Sequence, residues 1–221
     1  MLCCYNNAAI PTDNPVALPD ENRYIALTFD DGPHHDFTEQ LLDGLRQRGA
    51  SATFFLVGEE AEKEPELVHR MQAEGHQIGN HTWGHMRLKK VTEETLLAEV
   101  GKTEALLESL LGEGDYWLRP PYGEVSADLE HLITVPMVKW SVDPRDWESR
   151  NREKIVQAVL EAAEPNSIVL LHDIYQPSVE AALEIMDRLQ AQGYDFVTVE
   201  ELLRLNGVTP QAGKLYRSGK G

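Results

Sequence analysis

Tyr24-Ile25-Ala26-Leu27-Thr28-Phe29-Asp30-Asp31-Gly32-Pro33 is an apolar run closed by two adjacent carboxylates and a Gly-Pro turn signal. The run leaves no room for a polar face, so it reads as a strand covered on both sides. Residues 52–57 and 168–171 repeat the pattern. Shorter strands are expected at 116–118, 136–140 and 196–197, and a short segment at 76–80 leads into His81. Continuous apolar strands alternating with helices mark a parallel sheet sheathed by helices. The expected fold is therefore α/β, as a closed or distorted barrel or an open doubly wound sheet.

The helices announce themselves by their ends. Asp36 and Glu39 stand in capping-box spacing, Leu41, Leu42 and Leu45 supply an apolar face, and Gly49 is the stop. Pro65 opens a helix that Gly75 closes. Thr92 opens a long one, with Glu93 and Glu94 in the first turn where the dipole favours acids, and Gly112 ends it. Further helices are expected at 151–163, 178–192 and 200–205. Residues 1–22, with Pro11, Pro15 and Pro19, read as an irregular leader, 23–207 as one domain, and 208–221 as a basic, glycine-containing tail.

With 221 residues the chain suffices for one well-cored domain. A formal charge of −17 argues against nucleic acid or an anionic membrane as partner, because both are bound through basic patches. A neutral polymer such as a polysaccharide remains compatible, and a monomer is expected. No stretch approaches the roughly 20 apolar residues of a membrane span. The two cysteines, Cys3 and Cys4, lie outside the patterned region, so the fold needs no disulfide and has no cysteine zinc site. The first residues lack the basic and apolar regions of a signal peptide. That leaves a cytosolic protein or a trimmed remnant of an exported one.

The polar clusters collect in one structural place. Asp30-Asp31, His81, Arg119, Asp143 to Asp146 and His172 each fall at or just beyond the C-terminal end of an expected strand, where parallel α/β folds build their sites. Neighbouring side chains on an extended backbone diverge, so Asp30 and Asp31 need not share a task. His81 and His85 stand four apart, which on a helical turn puts both imidazoles on one face within reach of a single metal ion. With a carboxylate from Asp30-Asp31, the set leaves coordination positions open, as catalytic sites do. Arg119 must face a carboxylate to be buried. His172 suits a general acid, with Asp143 or Asp146 to hold it protonated. His34, His35, His69, His76 and His131 read as surface or core residues, with His34 or His35 on the rim of the cleft.

Together Thr28-Phe29-Asp30-Asp31-Gly32-Pro33, His81-Thr82-Trp83-Gly84-His85, Arg119-Pro120-Pro121-Tyr122-Gly123, Asp143-Pro144-Arg145-Asp146-Trp147 and Leu170-Leu171-His172-Asp173 resemble the five motifs of the polysaccharide deacetylases, carbohydrate esterase family four. They occur in the family's order, with no substitution at a motif position. The resemblance implies a distorted (β/α) barrel of about seven parallel strands and one divalent metal, zinc or else cobalt or nickel. It implies Asp31, His81 and His85 as ligands, Asp30 as general base positioned by Arg119, and His172 as general acid oriented by Asp146. The Tyr122 backbone N–H is implied as an oxyanion donor, Thr82 as a brace for the metal loop, and Trp147, Leu170, Pro120 and Tyr122 as the substrate pocket.

The activity so implied is removal of acetyl groups from N-acetylglucosamine in peptidoglycan or chitin-type oligomers, by an enzyme whose native precursor is extracellular or surface-bound. An O-deacetylase acting on acetylated xylan uses the same machinery. A non-catalytic carbohydrate-binding barrel is the alternative of a different class.

Overall fold

The computed structural model describes residues 23–221; the leader expected at 1–22, with Cys3 and Cys4, lies outside the described residues. Strand β1 is Arg23–Asp30, and its last six residues are buried, as a strand covered on both faces requires. Helix α1 (His35–Arg48) follows, then β2 (Thr53–Leu56), α2 (Gly58–Lys63), α3 (Pro65–Ala73), β3 (Gln77–Asn80) and the long α4 (Glu93–Leu111). After two short 3-10 turns come β4 (Met137–Val138), α5 (Asp146–Ser149), α6 (Arg152–Ala162), β5 (Ile168–His172), α7 (Gln176–Gln190), β6 (Tyr194–Phe196), α8 (Val199–Leu205) and β7 (Leu215–Tyr216).

Every ladder between these strands is parallel. One sheet runs β3-β2-β1-β5 with β6 also on β1, and β4 pairs with β7. Single parallel bridges, Asn80–Leu118, Leu118–Met137 and Val142–Val169, span the gap between the two sheets. The result is a distorted barrel of seven strands, one side of which is joined by isolated residues and not by a continuous ladder. Residues 116–118, expected as a strand, contribute only the Leu118 bridges. The seventh strand is β7, inside the segment read as a tail.

The caps explain most boundaries. Thr92, Asn151 and Thr198 accept hydrogen bonds from backbone N–H groups three residues on, at the starts of α4, α6 and α8. Gly49 ends α1 in the left-handed region. The capping box expected at Asp36 and Glu39 is not formed. The cap of α1 is His34, whose ring accepts from the Phe37 N–H. Pro65 is the first residue of α3, as expected, whereas α2, only six residues long, gave no periodic signal.

Three apolar clusters hold the layers together. The largest joins β1, β2 and β5 to α1, α3, α6 and α7 through residues such as Phe29, Leu42, Phe54, Leu171 and Ile185. The second packs Ala26, Phe55 and Ile168 with Leu202 and Tyr216, and the third gathers Leu118, Ile133, Val135 and Met137. No helix among the described residues is long and apolar enough to cross a membrane.

Candidate active site

Because β1, β2, β3 and β5 are parallel and in register, their C-terminal ends open on one edge. Asp30 pairs with Phe55 and His172, and Leu56 with Asn80. The strand-end residues singled out by the sequence therefore meet there.

Asp30 ends β1 and Asp31 lies just beyond it, so the two carboxylates meet different partners, although Asp30 Oδ2 stays 3.6 Å from His81 Nε2. Asp30 turns inward, and its Oδ1 accepts from Arg119 Nη1 at 2.7 Å. Arg119 is wholly buried, and the rest of its fork is occupied as well. It donates to Thr28 Oγ1 at 2.7 Å and to the Lys139 carbonyl at 2.9 Å, and its guanidinium lies 4.1 Å from the centre of the Phe55 ring. Such saturation is what makes burial of the cation tolerable. Asp31 takes a left-handed φ of 74° and faces the histidines.

His81 and His85 are not on a helical turn. Residues 81–85 form a loop in which Thr82 and His85 have φ values of 66° and 55°, and the two rings come to 5.0 Å. The first turn of α2 holds this loop. The Gly58 and Glu59 N–H groups donate to the carbonyls of Thr82 and Trp83, at 2.9 and 3.1 Å. Asn80 accepts from the Thr82 N–H at 2.8 Å and donates to the Val100 carbonyl at 2.9 Å. The brace that Thr82 provides is its backbone; its hydroxyl is buried without a partner.

Asp31, His81 and His85 each offer an atom within 4.8 Å of the others. His81 Nδ1 lies 2.6 Å from the Arg119 carbonyl, which only accepts, so Nδ1 carries the proton and Nε2 presents a bare lone pair. That lone pair faces Asp31 Oδ1 at 3.5 Å, with His85 Nε2 at 3.3 Å from the same oxygen. Asp31 Oδ1 is buried and has no hydrogen-bond partner. Two acceptors directed at one another repel unless a cation lies between them, and an imidazole donating its far N–H to a carbonyl is the usual setting of a metal ligand. The donor set fits a divalent metal.

On the opposite side His172 closes β5. Its Nδ1 lies 2.8 Å from Asp146 Oδ1, and its backbone N–H donates to Asp146 Oδ2 at 2.9 Å, so one wholly buried carboxylate fixes both ring and strand end. Burial disfavours the imidazolium, but the hydrogen bond and charge of Asp146, with Asp30 and Asp31 beyond, raise His172 to about 9. His172 Nε2 points inward, 3.9 Å from Asp31 Oδ2. Asp143, the other partner considered, instead accepts from the Arg145 N–H.

The residues expected to line the pocket differ in exposure. Pro120 and Leu170 are buried, whereas Tyr122 and Trp147 are about half exposed. The Tyr122 ring rests 4.9 Å from that of His85 and carries the Arg87 guanidinium at 3.8 Å. His34 caps α1, and His35 is exposed and paired with Glu64 at 3.1 Å. Asn80 and the Thr38–Asp173 pair were not anticipated. Thr38 Oγ1 donates to Asp173, which is buried against Gly32, and burial pushes that carboxyl up to about 7. No sequence signal marks Thr38, whose partner is 135 positions away.

A family model described as polysaccharide deacetylase matches residues 17–134. Among curated relatives, the chain is 38% identical over 198 residues to the peptidoglycan-N-acetylmuramic acid deacetylase PdaC of Bacillus subtilis. The match covers 87% of this chain and 42% of that protein, so the chain spans about two fifths of the relative's length. Among solved structures, one described as T48 deacetylase with substrate is 41% identical with a TM-score of 0.84, covering 88% of this chain and 96% of the other. A family 4 acetyl xylan esterase of Clostridium thermocellum, in complex with a cobalt ion, is 32% identical with a TM-score of 0.83, covering 88% and 98%.

Proposed function

The chain belongs to the polysaccharide deacetylase family, and from that premise we propose that it is a metal-dependent hydrolase releasing acetate from N-acetylated sugars of a polysaccharide, most favourably peptidoglycan. One observation carries the reading: Asp31, His81 and His85 surround a position flanked by Asp30 on its arginine and His172 on its aspartate. The PdaC relative supports peptidoglycan as substrate, and chitooligosaccharide deacetylases of 39% and 41% identity keep chitin-type oligomers beside it.

Asp31, His81 and His85 would hold the ion. Two imidazoles and one carboxylate suit zinc, and cobalt or nickel fit the same donors. When bound, the metal polarises the acetyl carbonyl and acidifies water. Asp30 accepts the proton of the attacking water, and the Arg119 hydrogen bond keeps that carboxylate aimed. The water oxygen bonds to the carbonyl carbon, and the Tyr122 backbone N–H donates to the oxygen that becomes negative. His172 Nε2 then gives its proton to the amide nitrogen as the C–N bond breaks, leaving acetate and a free amine. Trp147 and Leu170 would wall the acetyl methyl, with Pro120 and Tyr122 lining the rest of the substrate pocket.

Asp30→Asn and His172→Ala should each lower acetate release at least about 100-fold, with bound metal unchanged by elemental analysis. Loss of metal from either variant, or retention of full activity, would refute the roles. The likeness to an acetyl xylan esterase favours O-deacetylation as the second reading. An ester departs without a strong acid, so ester turnover that survives His172→Ala while amide turnover collapses would identify it.

A further inference from the structure

The β4–β7 ladder pairs Met137 with Leu215 and Val138 with Tyr216, and continues one step, because the Lys139 N–H donates to the Tyr216 carbonyl at 2.7 Å. Lys139 and Arg217 are thus neighbours across adjacent strands. Side chains alternate along a strand. Val138 and Tyr216 enter the second core cluster, so Lys139 and Arg217 share the other face, that of Met137, Leu215 and Val125. Lys139 runs over the turn beside Tyr122. A methyl group added to Gly123 would collide with Lys139 Cε and approach its Nζ to 3.1 Å. The side chain therefore lies along the wall that carries Tyr122, whose ring touches His85.

Like charges side by side on paired strands repel. The chain has 37 acids for 20 bases, yet among the described residues neither Lys139 nor Arg217 has an ion pair or a side-chain hydrogen bond. The nearby acid, Glu124, is already committed: one oxygen is 2.9 Å from Lys89 and the other 2.7 Å from Arg87. Burial and the charge of Arg217 pull the Lys139 ammonium below its ordinary range, which an anion would reverse. An arginine and a lysine forced together, with the one acid nearby already paired to Arg87 and Lys89, form a ready receptor for a carboxylate.

We propose that Lys139 and Arg217 form a carboxylate-binding subsite at the mouth of the cleft, selecting acidic glycans over neutral ones. The inference rests on the deacetylase reading, since it gives that site a substrate class. In an acidic wall polymer the carboxylate comes from the lactyl ether of a muramic acid or from a peptide stem attached to it.

The test measures acetate release from three substrates: chitotetraose, a peptide-free tetrasaccharide alternating N-acetylglucosamine and N-acetylmuramic acid, and the same glycan with stem peptides. With Arg217→Gln, KM for at least one acidic substrate should rise roughly tenfold while kcat and the chitotetraose constants stay put. Arg217→Lys, which keeps the charge, should retain most of the wild-type preference. Molar salt should erase the wild-type preference. The acidic substrate that responds identifies the carboxylate. Equal changes on neutral and acidic substrates, or no change on either acid, would overturn the subsite. Failure of the wild type to release acetate from any substrate would instead overturn the underlying activity.

Discussion

His76 shows how far one buried side chain sets the pH range of a fold. It sits in the core with its edge to the Phe54 ring, and its Nδ1 accepts from the Ala52 N–H at 3.3 Å. Accepting there requires an unprotonated Nδ1, and Nε2 has no partner. Burial pushes the ring down from 6.5 to about 4, against the opposing charge of Glu74. A histidine depressed in the folded state contributes stability that is complete above its unfolded value. That stability is lost as pH falls from about 6.5 through about 4, and the loss amounts to about 3 kcal/mol. His76→Gln keeps an acceptor for Ala52 and removes the titration, so urea unfolding measured at pH 7, 6, 5 and 4 should lose less stability than wild type over that interval. Equal slopes would show that acid acts elsewhere. At this scale the sequence exposed Asp30, Asp31, His81, His85, Arg119 and His172 by residue type and strand-end position. It hid His76, Asn80 and Thr38, because what distinguishes them is a partner supplied by another element.

The 81–85 segment is where local pattern and observed element part. Histidines four apart suit a helical face, but both rings reach Asp31 from a loop with two left-handed residues, held by the N-terminus of α2. The short β3 places that loop, and Gly79 lets β3 approach its neighbours. A Cβ at Gly79 would stand 2.5 Å from the Phe55 ring and 2.7 Å from the Trp117 carbonyl. That carbonyl already accepts from the Asn80 N–H at 2.9 Å and cannot withdraw without breaking the bond. Gly79→Ala should therefore cost about 1–3 kcal/mol and weaken metal binding, because Asn80 and His81 follow directly. Gly101, inside α4 with no neighbour in the path of a Cβ, should respond with the opposite sign. Alanine there should stabilise by up to about 1 kcal/mol. Thermal unfolding of the two variants and a metal titration of the first check the pair; equal signs would refute the steric account.

Across the whole molecule, β7 extends β4 into a two-stranded parallel sheet from a segment with no pattern of its own. Tyr216 is fully buried in the second core cluster, its hydroxyl accepts from the Gln211 N–H, and its strand pairs with β4. The carbonyls of Val138 and Lys139, at the end of β4, are the ones that receive Arg119. Tyr216→Ala should cost about 3–5 kcal/mol and lower activity through Arg119 and Asp30, as denaturant unfolding and acetate release would register together. Unchanged stability would mean that β7 is dispensable. The sequence by itself determined the α/β class, the main parallel strands, most helix caps and the identity of the polar groups at the strand ends. Apolar continuity, cap chemistry and residue type act over a few neighbouring positions and are legible there. The motif resemblance already implied Asp146 as the partner of His172, which residue type alone left open with Asp143; only the tertiary structure decided that the histidines approach from a loop and that the last strand lies in the tail. Each of those outcomes depends on contacts between residues tens of positions apart, whose relative placement is fixed by packing.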